Sequence, residues 1–144
     1  MIIMAVDFGD ARTGLAVCDR AEMLAVPAGV IAERHMDACV GKTAAAAKEQ
    51  HAEQIVVGHP LNMNGSAGER AAKCEAFAEA LREASGLPVT LWDERSTTVT
   101  AHRYLNDTNT RGKKRKAVVD AVAATIILEN YLEFRRNTGR QSAE

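Results

Sequence analysis

The sequence predicts an α/β protein in which helices flank a mixed five-stranded sheet, giving a three-layer sandwich. Short apolar runs of strand length recur along the chain, and stretches with helical spacing separate the later ones. The first three apolar runs follow one another closely, which is typical of an antiparallel meander. The predicted order β-β-β-α-β-α-β-α-α suits a sheet covered by helices on both faces. At 144 residues the chain has the size of one domain.

The strands are predicted from apolar runs bounded by turn residues. Pro27 interrupts the third run, and a proline within a strand indicates an edge position. The fourth run is wholly apolar, as expected of a strand buried on both faces. The five predicted strands cover residues 2–8, 15–18, 25–31, 55–58 and 89–92.

Helices are predicted after the third strand and onward. An alanine-rich helix is expected over Asp37–His51. The next helix begins after Ser66, whose spacing to Glu69 matches a capping box, and ends at Gly86.

The last third of the chain is predicted to be mainly helical. A short helix is expected from residue 96 or 97 to about 105, and the polar segment 106–112 is expected to be mobile. The final helix is expected over about 115–136. We therefore predict a single domain over 1–136, with residues 137–144 as a frayed tail.

Charge is unevenly distributed between the two halves of the chain. Residues 1–72 hold 6 Lys/Arg against 9 Asp/Glu, a net of −3, whereas residues 73–144 hold 12 against 10, a net of +2. Within the second half, five of the six positions from Arg111 to Lys116 are basic. Global charge thus argues weakly against a nucleic-acid partner, while this local cluster argues for one.

The cysteines and the apolar runs bear on the compartment. Three cysteines are odd in number and far apart, which predicts reduced thiols and a cytoplasmic location. No apolar run approaches the ~18 residues of a membrane span. The first residues lack the basic start and cleavage site of a signal peptide. We therefore expect no membrane partner.

Three carboxylates lie where a metal site would need them. Asp7 closes the first apolar run, and Glu94 follows the fifth strand. Asp120 shares a helix face with Ala124 and Ile127. A carboxylate at the end of a buried strand is costly unless a cation meets it. If the three converge, they predict a divalent-metal site.

Simpler interpretations exist for each carboxylate taken alone. Asp7 could cap a turn after a strand, and Asp120 could be favoured near a helix N-terminus by the helix dipole. Asp93, Glu94 and Arg95 could form a solvated loop of mixed charge. Because side chains alternate along a strand, Asp93 and Glu94 should face opposite ways, and only one of them should reach the site.

The chain resembles the YqgF family, also called RuvX: small bacterial proteins of ribonuclease H-like fold that are related to the RuvC Holliday-junction resolvases. The similarity extends from residue 2 to about 134. The loop Pro60–Ser66, which reads P-L-N-M-N-G-S, is a specific part of the match. The four matching blocks are Val6–Gly9 with Arg12–Val17, Val57–Ser66 with Gly68 and Arg70, Asp93–Thr98, and Lys113–Asp120 with Ala123, Ala124, Ile127, Leu128, Tyr131 and Leu132.

The resemblance implies a metal-dependent nuclease that hydrolyses phosphodiester bonds in maturation of the 5′ end of precursor 16S ribosomal RNA. It implies that Asp7, Glu94 and Asp120 are the acidic active-site residues. Two divalent ions ~4 Å apart suit this chemistry, and carboxylate oxygens favour Mg²⁺, with Mn²⁺ possible. The implied partner is structured nucleic acid, either precursor ribosomal RNA or a pre-ribosomal particle, bound by a monomer or a weak homodimer.

Further residues are predicted to bind the nucleic acid. Two arginines would hold the scissile phosphate, the loop after the fourth strand would donate hydrogen bonds to the backbone, and the basic cluster would guide phosphates toward the metals. These residues are Arg12 and Arg95; Asn62, Asn64, Gly65 and Ser66; and Lys113, Lys114, Arg115 and Lys116. The chain departs from the family pattern at His59, where an apolar residue is usual, and at Ser96, where leucine is common.

Other functions fit parts of the sequence. A resolvase of branched DNA would keep the enzyme class and change the substrate, and a module that binds nucleic acid without cleaving it would need no metal. The three carboxylates weigh against the second, because acids repel a phosphate backbone unless a metal intervenes. An actin-like or sugar-kinase ATPase needs two such lobes, and 144 residues supply one.

Overall fold

The fold is described by a computed structural model covering residues 1–62, 64–94 and 112–143, with side chains of the last segment described over 122–138. The predicted short helix from residue 96 and the polar segment 106–111 lie outside these ranges. The helices and strands are β1 Ile3–Asp7, β2 Arg12–Cys18, β3 Ala25–Ala32, α1 Met36–Glu49, β4 Gln54–His59, α2 Glu69–Ser85, β5 Val89–Asp93 and α3 Gly112–Ala143.

The five strands form one mixed sheet in the order β3-β2-β1-β4-β5. β2 is antiparallel to both β1 and β3, while β4 pairs in parallel with β1 and with β5. The predicted meander is therefore confirmed, and so is the edge position of β3, the strand that contains Pro27. Since β1, β4 and β5 run in the same direction, their C-terminal ends meet at one border of the sheet, which we call the carboxyl edge.

Alternation along β1 separates two apolar cores, one on each face of the sheet. Met4 and Val6 face α1 and α2, where they pack in a cluster with Phe77. Ile3 and Ala5 face the other way, into a cluster formed with α3. The protein is thus the predicted three-layer sandwich, in which the described helices α1 and α2 cover one face and α3 covers the other.

Polar contacts fix the direction in which α3 crosses the sheet. The Gln54 amide at the start of β4 donates to the Tyr131 hydroxyl at 2.7 Å, and Arg135 pairs with Glu22 at 2.6 Å. Farther toward the N-terminus of the helix, Ile127 lies against Gly58 near the end of β4. The N-terminal part of α3 is therefore directed toward the carboxyl edge.

The boundaries of α3 differ from the prediction. The helix begins at Gly112 rather than near Arg115, and it ends at Ala143 rather than Arg136. Lys113 to Lys116 therefore belong to its first turns and do not precede it. Once a helix is nucleated by packing, each further residue adds a hydrogen bond at little cost, so polar residues without proline can extend it.

The predicted capping box at the start of α2 is wrong. The helix begins at Glu69 with Gly68 as its N-cap, and no side chain caps it. The Ser66 hydroxyl donates instead to the Asn64 carboxamide oxygen at 2.6 Å and accepts from the Asn62 amide at 3.0 Å. Ser66 is used by the preceding loop, because these local hydrogen bonds compete with capping.

The cysteines agree with the predicted reduced thiols. Cys18, Cys39 and Cys74 are buried free thiols. Burial raises the pKa of Cys74 to about 11, so this residue stays a thiol and has little nucleophilic character. Among the helices that the structure describes, none has the length and apolar character needed to cross a membrane.

We predict that Tyr131→Phe destabilises the protein by about 1–2 kcal/mol, because it leaves the buried Gln54 amide short of one acceptor. Urea unfolding followed by tryptophan fluorescence measures the change. Gln54 also donates to Thr90 at 3.1 Å, so Thr90→Val should cost a similar amount, and the two effects should not add. An unfolding free energy unchanged in Tyr131→Phe would show that this contact does not fasten α3.

Candidate active site

Asp7 and Glu94 lie at the carboxyl edge on the face covered by α3. Asp7 is the last residue of β1 and follows Ile3 and Ala5 on that face. Glu94 directly follows β5, and its carboxylate lies over Gly58 of β4, beside Ile127 of α3. The structure thus places two of the three predicted carboxylates at one edge and on one face of the sheet, from residues 87 positions apart in the sequence.

Glycines on both neighbouring strands leave space beside Asp7. Gly14 pairs with Asp7 across β2, and Gly58 lies one residue beyond the Val6–Val57 pair, level with Asp7 on β4. A Cβ at Gly58 would lie 2.6 Å from the Glu94 Oε1 and 2.8 Å from the Ile127 Cδ1. The Glu94 carboxylate therefore occupies the volume that a side chain on β4 would fill, roughly one strand spacing, or about 5 Å, from β1.

Glu94 is largely removed from water, yet none of the described residues pairs with its carboxylate. It makes no hydrogen bond or ion pair within the described part of the chain. Burial raises its pKa above the usual range, and the charges of Arg70 and His59 only partly oppose this effect. A partly buried carboxylate without a partner is energetically unfavourable unless a cation meets it. The observation fits a metal ligand, with carboxylate oxygen as the donor that Mg²⁺ prefers.

The expected divergence of Asp93 and Glu94 agrees with the sheet. Asp93 is the last residue of β5 and pairs in register with His59 of β4. Val89 and Leu91, four and two residues earlier, pack in the core with α1 and α2, so Asp93 follows them to that face. Glu94 alone contacts the α3 face.

Asp120 belongs to α3, two helical turns before Ile127. That distance corresponds to roughly 10 Å along the helix axis. Since Ile127 lies over Gly58 and α3 continues toward the carboxyl edge, the helix carries the Asp120 backbone to the side where Asp7 and Glu94 lie. The position of its carboxylate is outside the described side chains. Among the side chains that are described, no three of His, Cys, Asp or Glu form a group able to hold a metal.

The loop after β4 is held by its own hydrogen bonds. The Asn62 backbone N–H donates to the Ser66 carbonyl at 3.0 Å, and the Gly65 N–H donates to the Asn62 carbonyl at 2.8 Å. Gly65 has φ of 87°, a left-handed conformation that glycine adopts without strain. The side chains of Asn62, Asn64 and Ser66 bond to one another and are exposed. The predicted nucleic-acid loop is therefore a preformed surface next to the carboxyl edge.

Among the side chains predicted to bind phosphate by their positive charge, the structure describes that of Arg12. Arg12 begins β2 two residues from Gly14, the partner of Asp7, and alternation directs it to the α3 face. Arg95 lies outside the described residues. The backbone of Lys113 to Lys116 forms the first turns of α3, and the positions of these side chains also lie outside the described set.

Sequence reasoning did not identify the role of Gly58 or of Arg70. Gly58 ends an apolar strand, and its function depends on Glu94 folding over it from another strand. Arg70, on α2, donates to the Phe8 carbonyl at 3.4 Å, and its charge is the largest influence that opposes the rise in the pKa of Glu94. Only its membership of a matching sequence block set it apart in the sequence.

We predict that Glu94→Gln stabilises the metal-free protein at about pH 7.5. Because burial raises the folded-state pKa of Glu94, stability is highest below the unfolded value of about 4.3 and is lost as pH rises through the folded value. The amide removes this loss, so the gain over wild type should shrink as pH falls toward 4. Urea unfolding in the presence of a chelator measures it.

The matched control for this measurement is Glu129→Gln, at an exposed position on α3. It removes the same charge without relieving burial, so it should show no comparable gain at neutral pH. Equal behaviour of the two variants at all pH values would contradict the burial of an unpartnered Glu94 carboxylate.

Comparison with known proteins agrees with this fold. A family model described as "RuvX: Holliday junction resolvase" matches residues 1–134. A protein of Desulfitobacterium hafniense that carries the provisional name of a pre-16S rRNA nuclease is 41% identical over 144 residues, covering 100% of both chains. A protein of Halothermothrix orenii with the same provisional name is 40% identical over 135 residues, covering 94% of this chain and 96% of its own.

Solved structures of low sequence identity share the fold. RuvC of Thermus thermophilus, in complex with a Holliday junction substrate, matches with a TM-score of 0.59 at 14% identity, covering 93% of this chain and 96% of that one. The Fowlpox virus resolvase, in complex with Holliday junction DNA, matches with a TM-score of 0.56 at 13% identity, covering 92% and 97%. These matches confirm the ribonuclease H-like fold, and the family model and full-length relatives show that the chain belongs to the RuvX family.

Proposed function

We propose that the protein is a divalent-metal-dependent nuclease that hydrolyses phosphodiester bonds in precursor 16S ribosomal RNA during maturation of its 5′ end, in the cytoplasm. The observation that carries the proposal is the position of Asp7 and Glu94 on one face of the carboxyl edge, with the Glu94 carboxylate unpartnered among the described residues. The full-length relatives named after pre-16S rRNA cleavage support the choice of substrate.

The residues at the edge fit a divalent ion by their donor chemistry. Asp7, Glu94 and Asp120 would hold it, since all three offer the carboxylate oxygens that Mg²⁺ and Mn²⁺ accept. When bound, such ions lower the pKa of a coordinated water and stabilise the leaving oxyanion. The glycines that flank Asp7 add no side chains of their own beside it, and over Gly58 the Glu94 carboxylate takes that volume.

Other residues of the chain would bind and orient the substrate. Arg12, on the face of Asp7, can pair with a phosphate through two parallel hydrogen bonds. The Asn62–Ser66 loop presents exposed amide and hydroxyl groups in a conformation fixed by its own hydrogen bonds, so binding there orders little additional chain. Lys113 to Lys116 begin the helix that carries Asp120, so phosphates bound there would be directed toward the same edge.

A second candidate substrate is a four-way DNA junction. The description of the family model as a Holliday junction resolvase favours it. Resolving a symmetric junction requires two active sites facing opposite strands, so this function predicts a stable homodimer. The proposed RNA nuclease functions as a monomer or a weak homodimer. Size-exclusion chromatography with light scattering measures the oligomeric state and, together with the cleavage assay, distinguishes the two candidate functions.

The direct experiment compares both substrates with the same purified protein. Labelled precursor RNA that spans the 5′ end of 16S, and a labelled four-way DNA junction, are each incubated with Mg²⁺ and with a chelator. We expect metal-dependent cleavage of the RNA at a defined position. Cleavage of the junction alone would establish the second candidate, and cleavage of neither would overturn the proposed nuclease activity.

We predict that Asp7→Asn lowers cleavage by at least about 100-fold, because losing even an outer-sphere partner of a metal commonly costs 10–100-fold. It should also abolish the rise in melting temperature that Mg²⁺ produces in the wild type, since a ligand that binds only the folded state stabilises it. The control is Asp19→Asn, in the turn between β2 and β3. A Mg²⁺-induced rise retained in Asp7→Asn would remove Asp7 from the metal site.

We predict that Gly58→Ala abolishes most of the activity while the protein stays folded. The new Cβ would meet the Glu94 carboxylate and the Ile127 side chain, both flexible ends that can move, so Glu94 is displaced and the strand survives. The control is Gly41→Ala in α1, where nothing lies within 4 Å and alanine should stabilise the helix by about 0.5–1 kcal/mol. Full activity of Gly58→Ala would contradict the close approach of Glu94 to β4.

A further inference from the structure

A groove runs along the carboxyl edge on the face of the sheet opposite Glu94. It consists of two adjoining clefts of about 310 and 170 Å³, between the β1–β2 turn, the start of α2 and the segment that precedes α1. Both clefts are lined by Phe8, Gly9, Asp10 and Lys73, so they are continuous. We call this surface the α2 groove. Glu69 and Arg70 line one end of it, and Arg34 and His35 line the other.

The floor of the α2 groove is rigid and permits close approach. The Phe8 ring stacks on Phe77 with centroids 4.4 Å apart and is only 8% exposed. Gly9 forms the adjacent wall, and any Cβ there would collide with the Arg12 carbonyl oxygen, so the turn stays free of a side chain. A ligand can therefore approach the backbone of the turn itself.

Cations outnumber available carboxylates along the groove. Arg34, Arg70 and Lys73 are exposed, and Arg34 has no hydrogen bond or ion pair with the described residues. Glu33, which also lines the groove beside Arg34, is already paired with Lys42 at 2.7 Å.

The remaining acids of the groove hold Lys73 weakly. Lys73 contacts Asp10 at 3.5 Å and Glu69 at 4.0 Å, and all three side chains are largely exposed. Ion pairs of this kind contribute ~0–1 kcal/mol, so an incoming anion can displace them at little cost.

The groove is connected to the candidate active site through Arg70. Its guanidinium donates to the carbonyl of Phe8, the residue that follows Asp7, and its charge acts on Glu94 across the edge of the sheet. A polymer whose phosphate lies at Asp7 and Glu94 would reach the α2 groove by crossing the short β1–β2 turn. Only one residue of that turn, Asp10, presents a negative side chain along this route.

We propose that the α2 groove binds a phosphodiester group of the same nucleic-acid strand, flanking the group that is cleaved, through Arg34, Arg70 and Lys73. The proposal deepens the proposed function and rests on it for the identity of the polymer. The groove receives backbone phosphates by charge and shape, so it contributes affinity and register without reading base sequence. Asp10 at the mouth of the groove opposes binding.

Binding is tested in Asp7→Asn protein without metal, with a fluorescently labelled RNA hairpin that carries a single-stranded 5′ extension. Arg34→Ala/Lys73→Ala is compared with Arg20→Ala/Lys48→Ala, which removes the same charge at the opposite end of the sheet. Arg70 is left intact because it acts on Glu94. The ratio of affinities at 50 and 200 mM salt should fall roughly 2.6- to 3.5-fold for each phosphate that the groove pair no longer neutralises, and little in the control pair.

A second variant tests the groove by an expected gain in affinity for the RNA hairpin. Asp10→Asn releases Lys73 from its ion pair with Asp10 and removes the negative charge at the mouth, so it should tighten binding of the hairpin relative to Asp19→Asn, which makes the same change in net charge. Salt dependence equal in both pairs, or affinity no higher in Asp10→Asn than in Asp19→Asn, would overturn the α2 groove as a phosphate site. Because this assay involves neither metal nor cleavage, failure of the wild type to cut RNA would overturn the nuclease proposal while the groove comparison remains informative.

Discussion

The absence of a side chain at Gly58 is the constraint on which the site depends. β4 lies between β1 and β5, so any side chain at its carboxyl edge on the α3 face would separate Asp7 from Glu94. Gly58 places no side chain in that volume, so the Glu94 carboxylate can enter it. The Glu94 Oε1 lies 2.6 Å from where a Cβ on Gly58 would be. Ile127 of α3 closes the same space from above. The lack of a side chain at Gly58 thus allows β1, the end of β5 and α3 to meet.

The packing that creates this space also leaves a charge unfavourably placed. Core residues on both faces of the sheet hold β1, β4 and β5 in register, and polar contacts at Tyr131 and Arg135 fasten α3 at the opposite edge. Glu94 is therefore held where burial raises its pKa and no described group pairs with it. Functional sites commonly concentrate such unfavourable charge, since the stability sacrificed there is recovered when the ligand binds.

Much of this architecture follows from the sequence, because its signals are local. Apolar runs of strand length predicted all five strands, and Pro27 correctly indicated the edge. The carboxylates of Asp7 and Glu94 could be singled out since each follows such a run. The capping box failed because Ser66 bonds within its own loop, and α3 is longer than predicted because its polar ends carry no clear stop signal. The roles of Gly58 and Arg70 depend on contacts between distant segments, which periodicity does not reveal.

The central claim is that Asp7 and Glu94 are ligands of one metal centre at the carboxyl edge. Diffraction from crystals soaked in Mn²⁺, recorded where manganese scatters anomalously, tests it without reference to any substrate. The account predicts an anomalous peak within coordination distance, about 2.0–2.4 Å, of carboxylate oxygens from both residues. Manganese bound only elsewhere on the protein, with the Glu94 carboxylate still unpartnered over Gly58, would contradict it.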